Sequence, residues 1–429
     1  MTSRARLRPA LAALPLAALL VAAALSAAAR AGVDVDVRAT LEWLTAGRWL
    51  AARDTAANPD NAVLRLETLS LDTELRPRLK LELGDLTAVA RPRFIAAFGL
   101  TRAGGDWGEL ARDADVAVSE AFLSYRFSDA IALTYGLQVF DWGPGELLSP
   151  SNRLFHEVAF LKDPLWLVPG HHLLRLNASA GKSITAVLLV ELGAGDHPEA
   201  FRYGEAHDDK ALLKLEYMAE DGGAWIGATV GAGVHTDPFW GLYAAAWLGD
   251  SVMLYLDAAE TAGSDAWYPA ADAPAFTQRE RASERVRTLA LVGARYAFEQ
   301  GADLRLEALL DDAGWTEAEM RRGAATVAAA PTADRVGPWL LPGLELLGRA
   351  YLHLALRVPQ LPPGDDLTLQ VRALASLTDG SLAGFLGLSW EVSDATALFA
   401  SALVTSGRDD AELARLARGS LTLGVTHAW

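Results

Sequence analysis

The sequence predicts an all-β fold: one transmembrane, antiparallel, up-and-down β-barrel of about 18 strands, with 16 as the alternative count. Three observations carry the prediction. Apolar side chains occupy every second position along most of the chain, short and long links follow one another, and the last strand ends in an aromatic residue. Short turns are expected at the periplasmic rim and long loops at the outer rim.

The N-terminus has the features of an export signal. Three arginines before residue 10 precede a stretch of mostly Ala, Leu and Val, and Ala29-Arg30-Ala31 matches an A-x-A cleavage site. A membrane anchor is the alternative. We therefore expect a signal peptide at 1–31 and a single barrel at 32–429. Cleavage would remove four arginines and no acid, taking the net charge from −16 to −20, so no nucleic-acid partner is expected.

The composition limits how the chain can meet a membrane. It is 51% hydrophobic, yet no later segment reaches the ~18 consecutive apolar residues of a spanning helix. The absence of cysteine excludes disulfides, thiol chemistry and a lipoprotein anchor. In hydrocarbon every backbone N–H and C=O needs a partner within the protein, which a closed sheet provides.

The alternation is clear in "IALTYGLQV", where Ile131, Leu133 and Tyr135 lie on one face and Thr134 and Gln138 on the other. The same period recurs in "KALLKLEYMAED", "ADLRLEALLDD", "GRAYLHLALRV" and "DLTLQVRALAS". A soluble β-sandwich would show it too. Link length separates the two folds, because long links at 99–115, 142–171, 193–209, 261–284, 313–343 and 407–418 largely alternate with short turns.

This parity gives a strand count. We predict strands at 62–83, 86–98, 116–127, 130–141, 172–181, 183–192, 210–220, 223–234, 239–248, 251–260, 285–298, 302–312, 345–358, 366–377, 382–393, 395–406 and 419–429. A periplasmic N-terminus requires one more upward strand, which "VDVDVRATLEWL" supplies. If residues 41–53 formed an amphipathic helix instead, the count would be 16.

The C-terminus is the third observation. In "SLTLGVTHAW", Leu421, Leu423, Val425, His427 and Trp429 share one face. A last strand with a terminal aromatic resembles the assembly signal of Gram-negative outer-membrane proteins, which implies the barrel-assembly machinery as a partner of Trp429.

Aromatic residues near strand ends fit interfacial girdles, although about half of them could simply favour strands. They are Tyr135, Trp225, Trp240, Trp247, Tyr255, Tyr296, Phe298 and Trp390.

If apolar residues face lipid, their neighbours face the lumen. Fourteen bases are then expected inside: Arg76, Arg78, Lys80, Arg91, Arg93, Arg126, Arg175, Lys214, Arg287, Arg295, Arg305, Arg349, Arg357 and Arg372. The expected inward acids are only five, namely Glu82, Glu120, Glu191, Glu216 and Glu307. Gln138 and His353 share this face. A basic lumen would favour anions. The alternative is a ladder of ion pairs that braces the wall, with acids from an inserted loop.

A long loop is expected at 143–171, because this segment is too long for a turn. We expect Trp142 at the membrane interface, Gly143-Pro144-Gly145 to end the strand, and Asn152, Arg153 and His156 to lie in a loop that could constrict the mouth.

No enzyme is expected. No serine pairs by a recognisable motif with the inward His353 or with His156, and no phosphate cradle or zinc motif is present. We therefore expect no catalytic residue, no metal and no cofactor.

The order of an acid-bearing strand, a short turn and G-x-Q-x-x-x-W-G (Gly136, Gln138, Trp142, Gly143) resembles the barrels related to alginate-export porins. The Trp-Gly-Pro-Gly and the later Ser-Asn are also similar to capsule-assembly lectin barrels. The first resemblance implies an outer-membrane conduit for a small anion or acidic polysaccharide, surrounded by outer-membrane lipid and lipopolysaccharide. The second implies a polysaccharide-binding barrel with a plugged lumen.

Overall fold

A computed structural model describes residues 35–154, 158, 168, 170–192, 209–233, 238–264, 266–278, 285–361 and 365–429. It contains the predicted barrel of 18 antiparallel strands. They are β1 Val35–Ala52, β2 Glu67–Leu83, β3 Leu86–Ala103, β4 Ala111–Ser128, β5 Ile131–Gln138, β6 His171–Ala180, β7 Ile184–Glu191, β8 Lys210–Met218, β9 Ala224–Gly233, β10 Phe239–Leu248, β11 Val252–Ala262, β12 Val286–Ala297, β13 Asp303–Asp311, β14 Ala350–Val358, β15 Leu367–Ser376, β16 Leu382–Ser393, β17 Thr396–Ser406 and β18 Ala417–Ala428. The export signal proposed for 1–31 lies outside the described residues.

Closure of the barrel settles the strand count. Each strand pairs with the next, and β1 pairs both with β2, from Val35↔Leu83 to Trp49↔Leu69, and with β18, from Glu42↔Ala428 onward. The alternative of a helix at 41–53 is therefore wrong, because this segment is the closing strand. Its alternation places Trp43 and Trp49 outside, where they are exposed.

The outer surface carries the apolar belt expected of a barrel in lipid. The outward face of β18 includes Leu421, Leu423 and, after the strand, Trp429, which is 63% exposed. Among the described residues no helix is long and apolar enough to span a bilayer.

The predicted aromatic girdle needs correction. Tyr135, Trp240, Tyr296, Phe298 and Trp390 are exposed. Trp225, Trp247 and Tyr255 instead lie at inward positions and pack inside the barrel.

Short and long links largely alternate, as predicted, but the outer link 377–381 is shorter than the periplasmic link 359–366. β3 and β4 remain paired up to Gly99↔Ala111, so the predicted link 99–115 shrinks to 104–110. The predicted link 313–343 holds two helices that alternation did not indicate, α1 Glu317–Ala329 and α2 Ala333–Leu340. Thr316 caps α1 through a capping box with Glu319.

The helices belong to an apolar cap on the outer loops. Trp315, Met320 and Val327 pack with Trp339 and with Tyr268 in a cluster from which solvent is excluded. The links 53–66 and 407–416 contribute to the same cluster through other residues. The cap is thus built by several outer loops together.

A carboxylate network fixes this cap to the barrel. Glu412 accepts hydrogen bonds from the amides of Leu347 (2.6 Å) and Gly348 (3.1 Å) and from the Tyr351 hydroxyl. Burial raises the pKa of the Glu412 carboxyl above its ordinary value. Asp379 accepts from the Glu412 amide at 2.7 Å. Burial opposes ionisation of Asp379, but hydrogen bonds from Ser381 and from that amide outweigh it and lower its pKa.

The inner surface departs from simple alternation. Leu289, Leu291, Leu309, Leu374 and Phe385 occupy inward positions on β12–β16 and are buried. Inward-facing Leu173, Val187, Leu189 and Leu212 form a second buried cluster on β6–β8. Apolar residues can face the lumen here because a loop covers them.

Candidate functional site in the lumen

The loop that covers them follows β5. Residues 139–154, here called the inward loop, leave the wall after Gln138 and fold into the barrel. Gly143 makes the turn with φ +98°, and a Cβ there would collide with the side chains of Ser149 and Asp257. Trp142 is 7% exposed and packs with the cluster on β6–β8, so its predicted position at the membrane interface is wrong.

Glu307 on β13 holds the loop from the far side of the lumen. Its carboxylate accepts hydrogen bonds from the amides of Glu146 at 2.6 Å and Leu147 at 2.8 Å. Tyr255 donates to it at 2.7 Å, and Nδ1 of His353 lies 2.8 Å from Oε2. Since β13 is eight strands from β5 in an 18-strand ring, the loop crosses the lumen.

Asp257 on β11 is a second anchor. Oδ2 accepts from the Ser149 hydroxyl at 2.6 Å, and Oδ1 accepts from the Ser151 amide at 2.7 Å. Asp257 is completely buried. On β9, Thr229 donates to the Ser151 carbonyl at 3.2 Å. Charged acceptors bonded to backbone amides are among the stronger hydrogen bonds in proteins, so this end of the loop is well fixed.

The other predicted constriction residues fall in the same loop. Pro144 is buried, and Gly145 packs closely against the Leu148 carbonyl. Asn152 donates to Asp141 at 2.7 Å. The Arg153 carbonyl lies 3.5 Å from the Lys210 ammonium. His156 lies outside the described residues.

Ion pairs neutralise the wall formed by β1–β4. Arg76 contacts Glu42 at 3.1 Å and Glu74 at 2.8 Å, and Arg93 contacts Glu74 at 2.8 Å. The remaining predicted bases of this wall follow the same pattern: Arg78 with Glu42 (3.7 Å), Lys80 with Glu82 (2.7 Å), Arg91 with Glu120, and Arg126 with Asp85 (3.3 Å). This wall has the form of the predicted ladder.

The wall formed by β12–β15 is different. Arg295, Arg305, Arg357 and Arg372 project inward there and are here called the arginine cluster. Asp303 contacts Arg295 and, at 3.1 Å, Arg305, and it faces Arg357 across the sheet.

Glu146 of the inward loop lies against the same cluster, 3.0 Å from Arg305 and 3.9 Å from Arg372. Each of the two carboxylates, Asp303 and Glu146, is therefore shared by more than one guanidinium. The inserted loop supplies an acid, as the ladder alternative required.

Arg175 on β6 lies on the opposite wall. Its guanidinium carbon is 4.7 Å from the Phe140 ring centre, and Nη2 is 3.4 Å from the Thr134 hydroxyl. Nε is buried without a hydrogen-bond partner in the described part of the chain. The carboxylate of Glu120 also acts on this guanidinium electrostatically.

The other predicted lumen residues are covered or lie at a rim. Gln138 donates to the Leu173 carbonyl at 3.0 Å, at the root of the loop. Lys214 contacts Glu216 at 2.9 Å, and the buried Arg287 donates to the Asp312 carbonyl at 3.2 Å. Arg349 is exposed in the outer link before β14, so its predicted place on the wall is wrong.

The expected excess of fourteen bases over five acids is also wrong. Glu42, Glu74, Asp257 and Asp303 are further inward acids, and Glu146 joins them from the loop. The alternation does place these wall acids inward, at positions such as Asp257 in "YLDAAE". What the sequence lacks is a sign of their partners, which lie on distant strands. Among the described residues no three metal-ligating side chains converge.

Solved structures share this architecture. Acinetobacter baumannii OccAB1 is 12% identical, with 91% of this chain and 96% of that one covered at a TM-score of 0.54. A double variant of OccD1 (OprD) is 9% identical, with 91% and 95% covered at 0.52. Pseudomonas aeruginosa OccK1 (OpdK) is 11% identical, with 92% and 98% covered at 0.51. No protein-family model and no curated protein sequence matches the chain.

The chain therefore has the fold of outer-membrane porins, a closed 18-strand barrel with an apolar outer belt. The resemblance to alginate-export porins in particular stays a prediction.

Proposed function

We propose that this protein is an outer-membrane, porin-like channel through which small anions, carboxylates above all, pass passively. The observation that carries the proposal is the arginine cluster, in which Asp303 and Glu146 are each shared by more than one guanidinium. Because two carboxylates are shared among the four guanidinium groups, positive charge remains on the wall that faces Glu146 of the inward loop. Positive charge in a narrow, low-dielectric passage raises the local concentration of anions and repels cations.

The chemistry of arginine favours carboxylates within that class. A planar guanidinium can bind both oxygens of a carboxylate, and it remains charged at every relevant pH. Arg175, stacked on Phe140, places an aromatic face beside a cation on the opposite wall. The OpdK structure with vanillate, an aromatic carboxylate, is a precedent in a barrel of the same fold.

A polymer is a less suitable solute. The inward loop is anchored on β11 and β13 after leaving β5, so a chain of sugars would have to pass beside it. The same loop favours a second candidate function, a barrel with a plugged lumen that binds surface polysaccharide. Such a barrel would conduct no ions.

Liposome swelling tests the proposal. Full-length protein in liposomes should admit vanillate faster than an uncharged aromatic alcohol of similar size, and a matched aromatic amine should enter most slowly. Equal rates for the three solutes would contradict anion preference. The absence of swelling with any of them would favour the plugged barrel.

A further inference from the structure

The lipid-facing surface of β1–β4 contains a groove of about 310 Å³. Trp43, Leu75 and Phe94 form its sides, and the small Ala96 and Ala114 leave it open. The strand registers place all five at outward positions, so the groove opens toward the membrane rather than the lumen.

Hydrogen bonds among polar groups hold one side of the groove in place. The indole N–H of Trp43 donates to the Thr73 hydroxyl at 3.1 Å, which fixes one side. The Thr73 hydroxyl also lies 2.7 Å from the Thr45 hydroxyl and 3.2 Å from the Leu44 carbonyl. Because these polar groups bond to one another, the groove presents an apolar surface.

Two arginines stand above the groove on the same outward face. Arg112 precedes Ala114 by two residues on β4, so it lies about 7 Å nearer to the outer rim. Arg102 lies at the outer end of β3. Both are exposed, and among the described residues no carboxylate forms an ion pair with either.

We propose that this groove binds one acyl chain of a lipopolysaccharide molecule, whose phosphate rests on Arg112 and Arg102. An apolar groove continued by two exposed cations complements an amphiphile with an anionic head. A second copy of this chain is a poorer occupant, since a two-fold contact through the same face would bring the arginines of both copies together. The proposal depends on placement in the outer membrane and not on channel activity.

Native mass spectrometry of the folded, delipidated full-length protein tests the proposal, with purified rough-type lipopolysaccharide as the probe. One molecule should bind per barrel. Ala114→Phe, which fills the groove, and Arg112→Glu, which reverses the charge, should each weaken binding by roughly tenfold.

Two matched controls make the same changes elsewhere. Ala400→Phe alters an outward alanine on β17, and Arg321→Glu alters an exposed arginine on α1. Both should bind lipopolysaccharide as the wild type does. Folding is checked by the compact migration of unboiled samples, and Ala96→Leu replaces Ala114→Phe if that variant does not fold.

Three results would overturn the proposal. Equal binding by the wild type and all variants would mean that the groove is not the site. An effect of Arg112→Glu without any effect of groove filling would mean attraction of the head group alone. A change in oligomeric state on groove filling, with lipopolysaccharide binding unchanged, would identify a second copy of the chain as the occupant.

Discussion

The Glu307 carboxylate on β13 accepts a hydrogen bond of 2.6 Å from the amide of Glu146, a residue of the loop that leaves the barrel after β5. This contact joins opposite sides of the lumen. It also places the Glu146 side chain beside the arginine cluster, so this anchor helps to fix both the position of the loop and the charge that the loop brings into the lumen.

Removing the anchor should widen the channel. In Glu307→Gln one carboxylate oxygen becomes an NH2 group, so one of the two amides, that of Glu146 or that of Leu147, loses its acceptor and the other bonds to a neutral oxygen. The loss of one charged hydrogen bond and the weakening of the other should cost about 2 kcal/mol of loop attachment. We expect a larger and noisier single-channel conductance.

Glu82→Gln is the control for this variant, because Glu82 contacts Lys80 near the periplasmic rim and does not touch the loop. Unchanged conductance in Glu307→Gln would show that the loop does not limit the passage.

Neutralising the loop acid should strengthen anion preference. Glu146→Gln leaves Arg305 and Arg372 without their loop partner. The interaction energy between one lumenal charge and a passing ion at close range is about 1 kcal/mol. This energy corresponds to about a fivefold change in the permeability ratio of chloride to potassium. Reversal potentials measure this ratio, and Glu109→Gln in the exposed outer link 104–110 is the control. A shift toward potassium would contradict the proposed role.

Removing a cation of the cluster should have the opposite effect. Arg357 is exposed to the lumen, and Asp303, which faces it across the sheet, also contacts Arg295. Arg357→Gln should therefore lower the permeability ratio by about fivefold with little loss of stability. Lys182→Gln, in an exposed periplasmic turn, removes the same charge outside the lumen. Equal effects of the two variants would argue against a local role for the cluster.

The outer cap should be most stable at mildly acidic pH. The folded-state pKa of Glu412 is raised, so its contribution is complete below the ordinary glutamate pKa and is lost as the pH rises through the folded value. The pKa of Asp379 is lowered, so its contribution is complete above the ordinary aspartate pKa and is lost as the pH falls through the folded value. Tyr351 and Arg415 also face Glu412.

Amide exchange across 315–348, corrected for intrinsic rates, measures this stability. The free energy of opening of the cap should decline toward alkaline pH. The Glu412 carboxyl alone can contribute at most about 1.4 kcal/mol per pH unit to this decline. In Glu412→Gln, which keeps an acceptor for the Leu347 amide, the alkaline decline should vanish. A decline that persists in the variant would assign it to another group.

The barrel was predictable because lipid imposes a single rule on the outer face. Every second residue must be apolar, so alternation located seventeen strands and the outward position of Trp429, and the parity of the links required the eighteenth. The segment 41–53 was ambiguous only because Trp43, Trp49 and their neighbours also fit a helical period. Pairing with β18 shows that this segment is a strand. The local sequence carries no sign of that pairing, because the two strands lie at opposite ends of the chain.

The lumen was much less predictable, because its side chains contact water, the inward loop or one another, and no single environment requires a particular residue type there. Leu291 and Leu309 are inward yet apolar, since the inward loop buries them. Asp257 and Glu307 look like ordinary lumenal acids until Ser149, Ser151 and the Glu146 amide are placed beside them. Those contacts join residues more than 100 positions apart, for which one sequence holds no pattern.

The most direct test of the central claim is the reversal potential of single channels in a planar bilayer under a KCl gradient. A lumen dominated by the arginine cluster predicts open channels whose reversal potential has the sign set by chloride. A reversal potential with the sign set by potassium would contradict the anion preference, and the absence of conductance at any voltage would contradict the channel itself.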